Sequence, residues 1–195
     1  MPATWYFEVK NYLVFLVVHL KANLYQTKTN MKTRNFLTAA VLLTLFVSSS
    51  FSQTSYNFND GMNAAKSNGK KIFLDIYSAS DNWSKKMDSE VYSSDKVKAA
   101  LSNFVFIKLN ADGQEKCSYG KKEYTAAELA KVFDGTGYPT FLFLNSDGSI
   151  ISFKLNNEQT TYLSGFLGEA DLVEMLNFFA QNKYKDTDLS TVFNN

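Results

Sequence analysis

A polar stretch that directly follows an apolar run holds the residues of this chain whose types could do chemistry. The run KIFLDIY, residues 71–77, leads into SASDNWSKKM, residues 78–87. The polar stretch contains a carboxylate at Asp81 and a hydroxyl at Ser84, and the apolar run contains a second carboxylate at Asp75. A carboxylate can serve as a general acid or base, and an activated hydroxyl can serve as a nucleophile. We therefore take this junction as the candidate site.

The rest of the chain offers little that could activate Ser84. A serine nucleophile needs a base, and the one histidine, His19, lies in an N-terminal leader that we expect to be removed. Lys85 is adjacent to Ser84, and adjacent residues of a helix do not face each other. Ser-His-Asp and Cys-His systems are therefore excluded from the mature chain, and a typical zinc site is disfavoured. We predict no metal site and no cofactor.

The position of Asp81 at the start of a predicted helix favours a structural role. The first turn of a helix carries unpaired N–H groups and a partial positive charge. The carboxylate of Asp81 is placed to accept the N–H of Trp83 or Ser84 as an N-cap, a gain of ~1 kcal/mol. We favour this cap over a catalytic acid, and we favour a helix-start role for Ser84 over a nucleophile.

Asp75 is predicted to be buried because it alternates with Phe73 and Tyr77 along the apolar run. A buried carboxylate destabilises the fold by several kcal/mol unless it is protonated or hydrogen-bonded, an order-of-magnitude figure. We expect a bond from Asp75 to Ser84, to Lys108 or to a buried water, with Asp75 retained as structure.

Helices and strands must alternate to position these residues. Strands that are buried on both faces read as continuous apolar runs, and Thr125 with Glu128 forms a capping-box pattern. The predicted elements are helix 59–67 ending at Gly69, strand 71–77, a helix over 81–102 broken near 93–95, strand 104–109, a polar loop over 110–122, a helix from Thr125 to Phe133, a β-hairpin over 140–155 and helix 168–183. This order predicts an α/β fold with a mixed central β-sheet and helices on both faces.

The junction and its surroundings resemble the thioredoxin superfamily, in particular its exported branch, over residues 56–183. In that family a buried strand ending in aspartate leads to Trp-Cys-x-x-Cys-Lys at a helix N-terminus, and some members read Trp-Cys-x-Trp-Cys-Lys-Lys-Met. Here Asp75, Trp83 and residues 85–87 match in register. The slots of the first tryptophan and the two cysteines are filled by Ser80, Asp81 and Ser84.

A second stretch supports the resemblance, since Gly137-Tyr138-Pro139-Thr140 matches the Gly-x-Pro-Thr turn of the family. The resemblance implies a thioredoxin-like fold with a cis bond before Pro139, beside the candidate site. It also implies that Trp83, Gly137, Tyr138 and Pro139 line an edge that binds extended peptide. Inward packing of Trp83 as core is the alternative.

The usual activity of the family conflicts with the residues present. Thiol–disulfide exchange requires a nucleophilic thiolate and a second thiol, and Cys117 is the sole cysteine, in a polar stretch that suggests an incidental loop residue. We predict a non-catalytic module that binds a protein or extended peptide in the cell envelope. An oxidoreductase acting through Cys117 and a partner thiol is the alternative, and a structural subunit without a peptide groove is a third hypothesis.

The N-terminal region predicts export. Residues 31–52 have the basic, apolar and small-residue segments of a secretory signal peptide, so the thioredoxin-like domain is predicted to span 53–195, in the periplasm or beyond, without a stable membrane span after cleavage. We interpret residues 1–30 as an extension preceding a true start at Met31, because their apolar run is shorter than the ~20 residues that cross a bilayer. A membrane anchor is the alternative.

The charge balance argues against nucleic acid as a partner. Five of the 20 Lys and Arg residues and one of the 19 acidic residues precede residue 53, which leaves 15 lysines against 18 acidic residues. A mildly acidic chain without arginine lacks the basic surface that phosphate backbones require. Its length predicts one domain with an adequate core.

Overall fold

The computed structural model describes residues 54–193, so the predicted N-terminal extension and signal peptide lie outside the described residues. A four-stranded sheet, in the order β2-β1-β5-β8, forms the centre of the fold. The strands are β1 (Ile72–Tyr77), β2 (Val105–Asn110), β3 (Lys116–Tyr119), β4 (Lys122–Thr125), β5 (Thr140–Leu144), β6 (Phe153–Leu155), β7 (Glu158–Thr160) and β8 (Tyr162–Ser164). Strand β1 is parallel to β2 and antiparallel to β5, which makes the central sheet mixed.

Helices cover both faces of this sheet. They are α1 (Phe58–Asn68), α2 (Asn82–Lys86), which continues as a π-helical turn (Met87–Val91), α3 (Asp95–Leu101), α4 (Ala126–Val132) and α5 (Glu169–Ala180), followed by two 3₁₀ turns (Lys183–Lys185 and Leu189–Val192). The predicted α/β class and the thioredoxin-like arrangement are confirmed.

The alternation of side chains along β1 divides the core into two clusters. Ile72, Leu74 and Ile76 point to the face covered by α1 and α4. Phe73 points to the other face, which is covered by the π-helical turn, α3 and α5. Both faces of the strand are buried, which is why its sequence is almost continuously apolar. Asp75 lies on the same face as Phe73 because the side-chain period of a strand is two.

Side-chain caps set the helix ends where the sequence predicts them. Thr125 and Glu128 form the expected capping box of α4, and Gly69 ends α1 in a left-handed conformation. The predicted break in the long helix is confirmed as well, because Ser94 caps a new helix, α3, with its side chain accepting from the N–H of Lys96. The long predicted helix is thus α2, the π-helical turn and α3.

The prediction of a polar loop over 110–122 is wrong in its second half. Strands β3 and β4 form a hairpin there, and Gly120 takes the positive φ of 64° that its turn requires. One side of the hairpin packs on the α1 and α4 cluster through Cys117, Tyr119 and Tyr124. The strands are only four residues long, so their alternation is too brief to stand out from the surrounding polar residues.

The predicted hairpin over 140–155 is confirmed at its turn and at the start of its second arm, but the pairing does not extend to residue 155. The N–H of Gly148 donates to the carbonyl of Asn145, Leu144 and Ile150 form an antiparallel bridge, and the N–H of Ile151 donates to the carbonyl of Phe143, after which the chain leaves the sheet. Strand β6 pairs instead with β7 through a two-residue turn, Asn156 and Asn157, which both have positive φ. The remaining edge of β5 is taken by β8. A second turn, at Asn156 and Asn157, therefore follows the turn at 145–148 and pairs β6 with β7 instead of with β5.

The close contact between α1 and the sheet generates a stability prediction. A methyl group at Gly61 would overlap the side chain of Ile107 in β2. We expect Gly61→Ala to lower the free energy of unfolding by about 1–3 kcal/mol, because overpacking outweighs the better helix propensity of alanine. Urea denaturation measures the change.

The control for this prediction is Asn63→Ala, on the exposed side of the same helix. It should be neutral or slightly stabilising. Equal or greater stability of Gly61→Ala would mean that α1 does not approach β2 as closely as described.

Candidate functional site

Asp81 is the N-cap of α2. Its Oδ2 accepts a hydrogen bond from the N–H of Ser84 at 2.7 Å, and its backbone is extended. The cap predicted from the sequence is therefore confirmed, with Ser84 rather than Trp83 as the donor. Because this carboxylate oxygen is engaged by the helix end, Asp81 is a structural anion at the place where the redox motif has its nucleophile.

The loop before α2 is fixed by Asp112, which the sequence analysis did not select. Asp112 Oδ2 accepts from Ser78 Oγ at 2.7 Å and from the N–H of Ala79 at 3.1 Å, and Ser78 Oγ lies 2.8 Å from Ser80 Oγ. This contact could have been expected from the parallel pairing of β1 with β2. The residues that follow them, Ser78 and Asp112, emerge at the same edge of the sheet.

Ser84 is buried, and its hydroxyl makes no hydrogen bond within the described part of the chain. Its backbone N–H is the group that Asp81 uses. Since no base contacts the hydroxyl there, the arrangement does not support Ser84 as a nucleophile.

Asp75 is buried as predicted, with 1% of its surface exposed, but neither of the two side chains expected as partners, Ser84 and Lys108, binds it. Among residues 54–193, Asp75 Oδ1 has no hydrogen-bond partner. Lys108 lies directly opposite Asp75 in the strand register, yet its ammonium pairs with Asp88 in the π-helical turn. The expectation of a bond from Asp75 to Ser84 or Lys108 is therefore wrong, because a more accessible carboxylate takes the lysine.

Burial dominates the ionisation of Asp75. The pKa of this carboxyl is raised to about 7, mainly by loss of hydration and to a smaller extent by the charge of Asp88, while Lys108 and Tyr92 act in the opposite direction. Burial beside Asp75 also raises the pKa of Tyr92 well above its usual value. The tyrosine hydroxyl is close enough to Asp75 to influence it, although it makes no hydrogen bond of normal geometry to any described residue.

The Lys108 ammonium lies against aromatic rings. It is 4.4 Å from the ring centre of Tyr77 and 5.6 Å from that of Tyr92. Both rings and Asp88 hold the cation on the outer side of Asp75. In the cluster of Asp75, Tyr92, Lys108 and Asp88, the lysine and Asp88 thus form an ion pair, while Asp75 Oδ1 and the Tyr92 hydroxyl have no hydrogen-bond partner among the described residues.

Trp83 is on the surface, with 52% of its area exposed, so the alternative that it packs inward as core is wrong. Its ring centre lies 5.3 Å from that of Phe166, with 39° between the planes. We call these two rings the Trp83–Phe166 platform. Phe166 follows the edge strand β8, and nothing in the local sequence connects it with Trp83.

The turn at 137–140 is braced by hydroxyl groups. Thr140 Oγ1 donates to the carbonyl of Gly137 at 2.5 Å and lies 2.7 Å from Ser164 Oγ. The bond between Tyr138 and Pro139 is cis, and the carbonyl of Pro139 accepts from the N–H of Gly165 at 2.8 Å. This bond joins the turn to the segment that carries Phe166, one residue further along.

The four residues expected to line a binding edge differ in exposure. Pro139 is buried, Gly137 and Tyr138 are half-buried, and Trp83 is exposed. Tyr138 packs partly against the α1 and α4 cluster. Within residues 54–193 its ring makes no contact with the ring of Trp83. The aromatic surface of the site is therefore the Trp83–Phe166 platform, with the turn beside it.

Cys117 is a core residue, which corrects the expectation of an incidental loop residue. It lies in β3 with 1% of its surface exposed. Burial, reinforced by the charge of Glu115, raises the pKa of its thiol to about 11. A buried thiol with a raised pKa holds little thiolate, so the structure does not favour exchange chemistry at Cys117.

In residues 54–193, no group of three His, Cys, Asp or Glu side chains is arranged to hold a metal ion. Over the same range, none of the helices has the length and apolar character that a bilayer crossing requires.

Comparison with known proteins identifies the same fold. Residues 52–146 match a family described as thioredoxin-like. A thioredoxin-fold protein from Helicobacter pylori superposes with a TM-score of 0.54 at 16% identity, over 64% of this chain and 80% of that one. A Thermus thermophilus thioredoxin gives 0.47 at 19% identity, over 66% and 87% of the two chains. The C-terminal domain of Neisseria meningitidis DsbD gives 0.42 at 20% identity, over 61% and 90%. No curated protein sequence matches the chain.

The ionisation of Asp75 generates a pH prediction. Between about pH 4 and about pH 7 the folded protein keeps a proton on Asp75 that the unfolded chain has lost, so stability falls as pH rises through this window. The pKa difference corresponds to roughly 4 kcal/mol. We expect Asp75→Asn to remove most of this slope, as measured by urea denaturation across the window.

Asp95→Asn is the matched control for this prediction, because its carboxylate is fully exposed and removing it should leave the slope in place. Parallel pH profiles for wild type and Asp75→Asn would show that Asp75 ionises at an ordinary pKa.

Proposed function

Residues 52–146 match a thioredoxin-like family, and from that premise we propose that the chain is an exported, non-redox member of the thioredoxin superfamily that binds an extended protein segment beside α2. The observation that carries this proposal is the Trp83–Phe166 platform, in which an exposed Trp83 lies against a partly buried Phe166, where the redox motif of the family would be and where this chain has no thiol. The segment comes from a protein or peptide of the cell envelope.

The absence of exchange chemistry follows from three positions. Asp81 and Ser84 replace the two cysteines of the motif, and the first of them is committed to the helix cap. Cys117, the sole thiol of the chain, is buried in the core. Exchange needs one accessible thiolate and one resolving thiol, so none of these residues supplies the reaction.

Binding is supported by the exposure of Trp83, which packs on the partly buried ring of Phe166 next to a braced turn. Aromatic side chains are enriched among the residues that dominate binding energy at interfaces. In relatives, the backbone before the matching proline pairs with extended peptide, and in this chain hydroxyl bonds fix that turn through Thr140. A peptide could thus place side chains on the platform while its backbone meets the residues before Pro139.

Export rests on the sequence of residues 31–52, whose basic start, apolar centre and small-residue end suit a signal peptide. A domain without a disulfide remains compatible with an oxidising compartment because its core is large and continuous on both faces of the sheet.

The binding role predicts that Trp83→Ala weakens the association with extended polypeptide by about 10-fold or more. A fluorescein-labelled, reduced and alkylated polypeptide serves as the probe, and anisotropy gives its affinity. The matched control is Val132→Ala, which removes another exposed apolar side chain, 48% exposed, from α4 on the opposite face of the sheet. Equal losses in both variants would place the binding surface elsewhere.

A second experiment tests whether the scaffold keeps the geometry of the redox motif. We expect the double substitution Asp81→Cys and Ser84→Cys to confer insulin reduction at about 10-fold or more above wild type, because two thiols then occupy a helix N-terminus. Loss of the Asp81 cap should destabilise the domain by about 1 kcal/mol.

The control is Asp81→Ala with Ser84→Ala, which loses the cap without gaining thiols and should stay inactive. A folded double-cysteine variant that shows no exchange would contradict the match in register on which the proposal depends.

A further inference from the structure

We propose, building on the proposed function, that the segment bound at the Trp83–Phe166 platform is an extended peptide that carries an acidic residue close to a large apolar residue. The platform supplies the apolar contact. Two lysine side chains, Lys85 and Lys86, supply the preference for an acidic residue, because neither of them is held in a strong ion pair.

Lys86 lies over both rings. Its ammonium is 5.6 Å from the ring centre of Trp83 and 4.8 Å from that of Phe166. Its acidic neighbour is Glu90, at 3.7 Å, and both side chains are substantially exposed. An exposed pair at this distance contributes little, so a ligand carboxylate can compete for Lys86 with little loss.

Lys85 adds a second positive charge. Its ammonium reaches the carbonyl oxygen of Ser80 at 3.4 Å, a long contact, and the residue is exposed. Of the three carboxylates on the same segment, Asp81 caps α2 and Asp88 pairs with Lys108, which leaves Glu90 beside Lys86. Lys85 and Lys86 therefore face one carboxylate that is not bound elsewhere, and the weak pair that it forms with Lys86 leaves positive charge free to meet a ligand.

The dimensions suit one short segment. In an extended chain, residues two apart point the same way and lie about 7 Å from each other. Because the Lys86 ammonium is 4.8 Å and 5.6 Å from the two ring centres, an apolar side chain on the platform and a carboxylate two positions away can be bound together. A lysine in place of that carboxylate would meet Lys85 and Lys86 and be repelled.

The test uses three labelled peptides that differ at one position. Each has a central phenylalanine in a serine-glycine background, with aspartate, asparagine or lysine two residues before it. Anisotropy with the full-length protein should give an affinity about 5-fold or more higher for aspartate than for asparagine, with lysine weakest. The aspartate preference should shrink as salt is raised from about 20 mM to about 300 mM.

Substitution of the lysine pair identifies the source of the preference. Lys85→Gln with Lys86→Gln should reduce the affinity ratio of the aspartate and asparagine peptides to about one. The matched control is Lys121→Gln with Lys122→Gln, an exposed pair where the β3–β4 turn leads into β4, and it should keep the ratio. If the aspartate peptide lost its higher affinity in both variants, the preference would depend on the net charge of the protein and not on Lys85 and Lys86, which would overturn the proposal.

Other outcomes distinguish the preference for an acidic residue from the proposed peptide-binding function on which it rests. Equal binding of the aspartate and asparagine peptides, both weakened by Trp83→Ala, would overturn the acidic preference and leave the binding function standing. Failure of all three peptides and of the alkylated polypeptide to bind would overturn both. Tighter binding to vesicles containing phosphatidylserine than to the aspartate peptide would overturn the proposal in favour of an anionic membrane surface.

Discussion

The hydrogen bond from the N–H of Ser84 to the carboxylate of Asp81 determines what the rest of the site can be. A helix N-terminus next to a parallel strand pair concentrates unpaired donors and partial positive charge at one point. A thiolate at that point is stabilised and reactive, whereas a carboxylate is stabilised and inert. The same local electrostatics thus produce a stable helix start here. The surface around it is available for non-covalent binding and not for the formation of disulfide bonds.

Beneath this cap, the polar cluster of Asp75, Tyr92, Lys108 and Asp88 shows how a buried acid is tolerated. Asp75 lies on the strand opposite Lys108, but Asp88 binds the lysine from the π-helical turn. A π-helical turn widens the helix locally and is frequent at functional sites. Lys108 is engaged by Asp88 and by two aromatic rings. Burial is therefore the main influence on the pKa of the Asp75 carboxyl, and the fold accommodates this carboxyl in its neutral form at moderate pH.

Sequence patterns predict most of this architecture where one interaction dominates locally. The strand at β1, the caps at Thr125 and Ser94, and the helix-start role of Asp81 all depend on neighbours within a few residues. The errors come from contacts between distant segments. The capture of Lys108 by Asp88, the anchoring of Ser78 by Asp112 and the stacking of Phe166 on Trp83 each join residues at least 20 positions apart.

The missed β3–β4 hairpin and the shortened hairpin after β5 have the same kind of origin. Strands β3 and β4 are short and half-exposed, so their burial depends on packing against α1 and α4 rather than on a strong pattern of their own. The edge of β5 could pair with the next segment or with a later one, and Ile150 and β8 share it. Pairing choices of this kind are settled by the whole core and cannot be read from a turn signal alone.

The brevity of β8 has a consequence for the protein in solution. A sheet whose last strand has three residues presents few unpaired backbone groups, and the outer side of β2 is bridged by Tyr56. Long free edges invite other chains to extend the sheet, which is a common route to aggregation and amyloid. With both borders shortened or covered, the molecule can display the exposed ring of Trp83 at its surface while its backbone gives little template for runaway self-assembly.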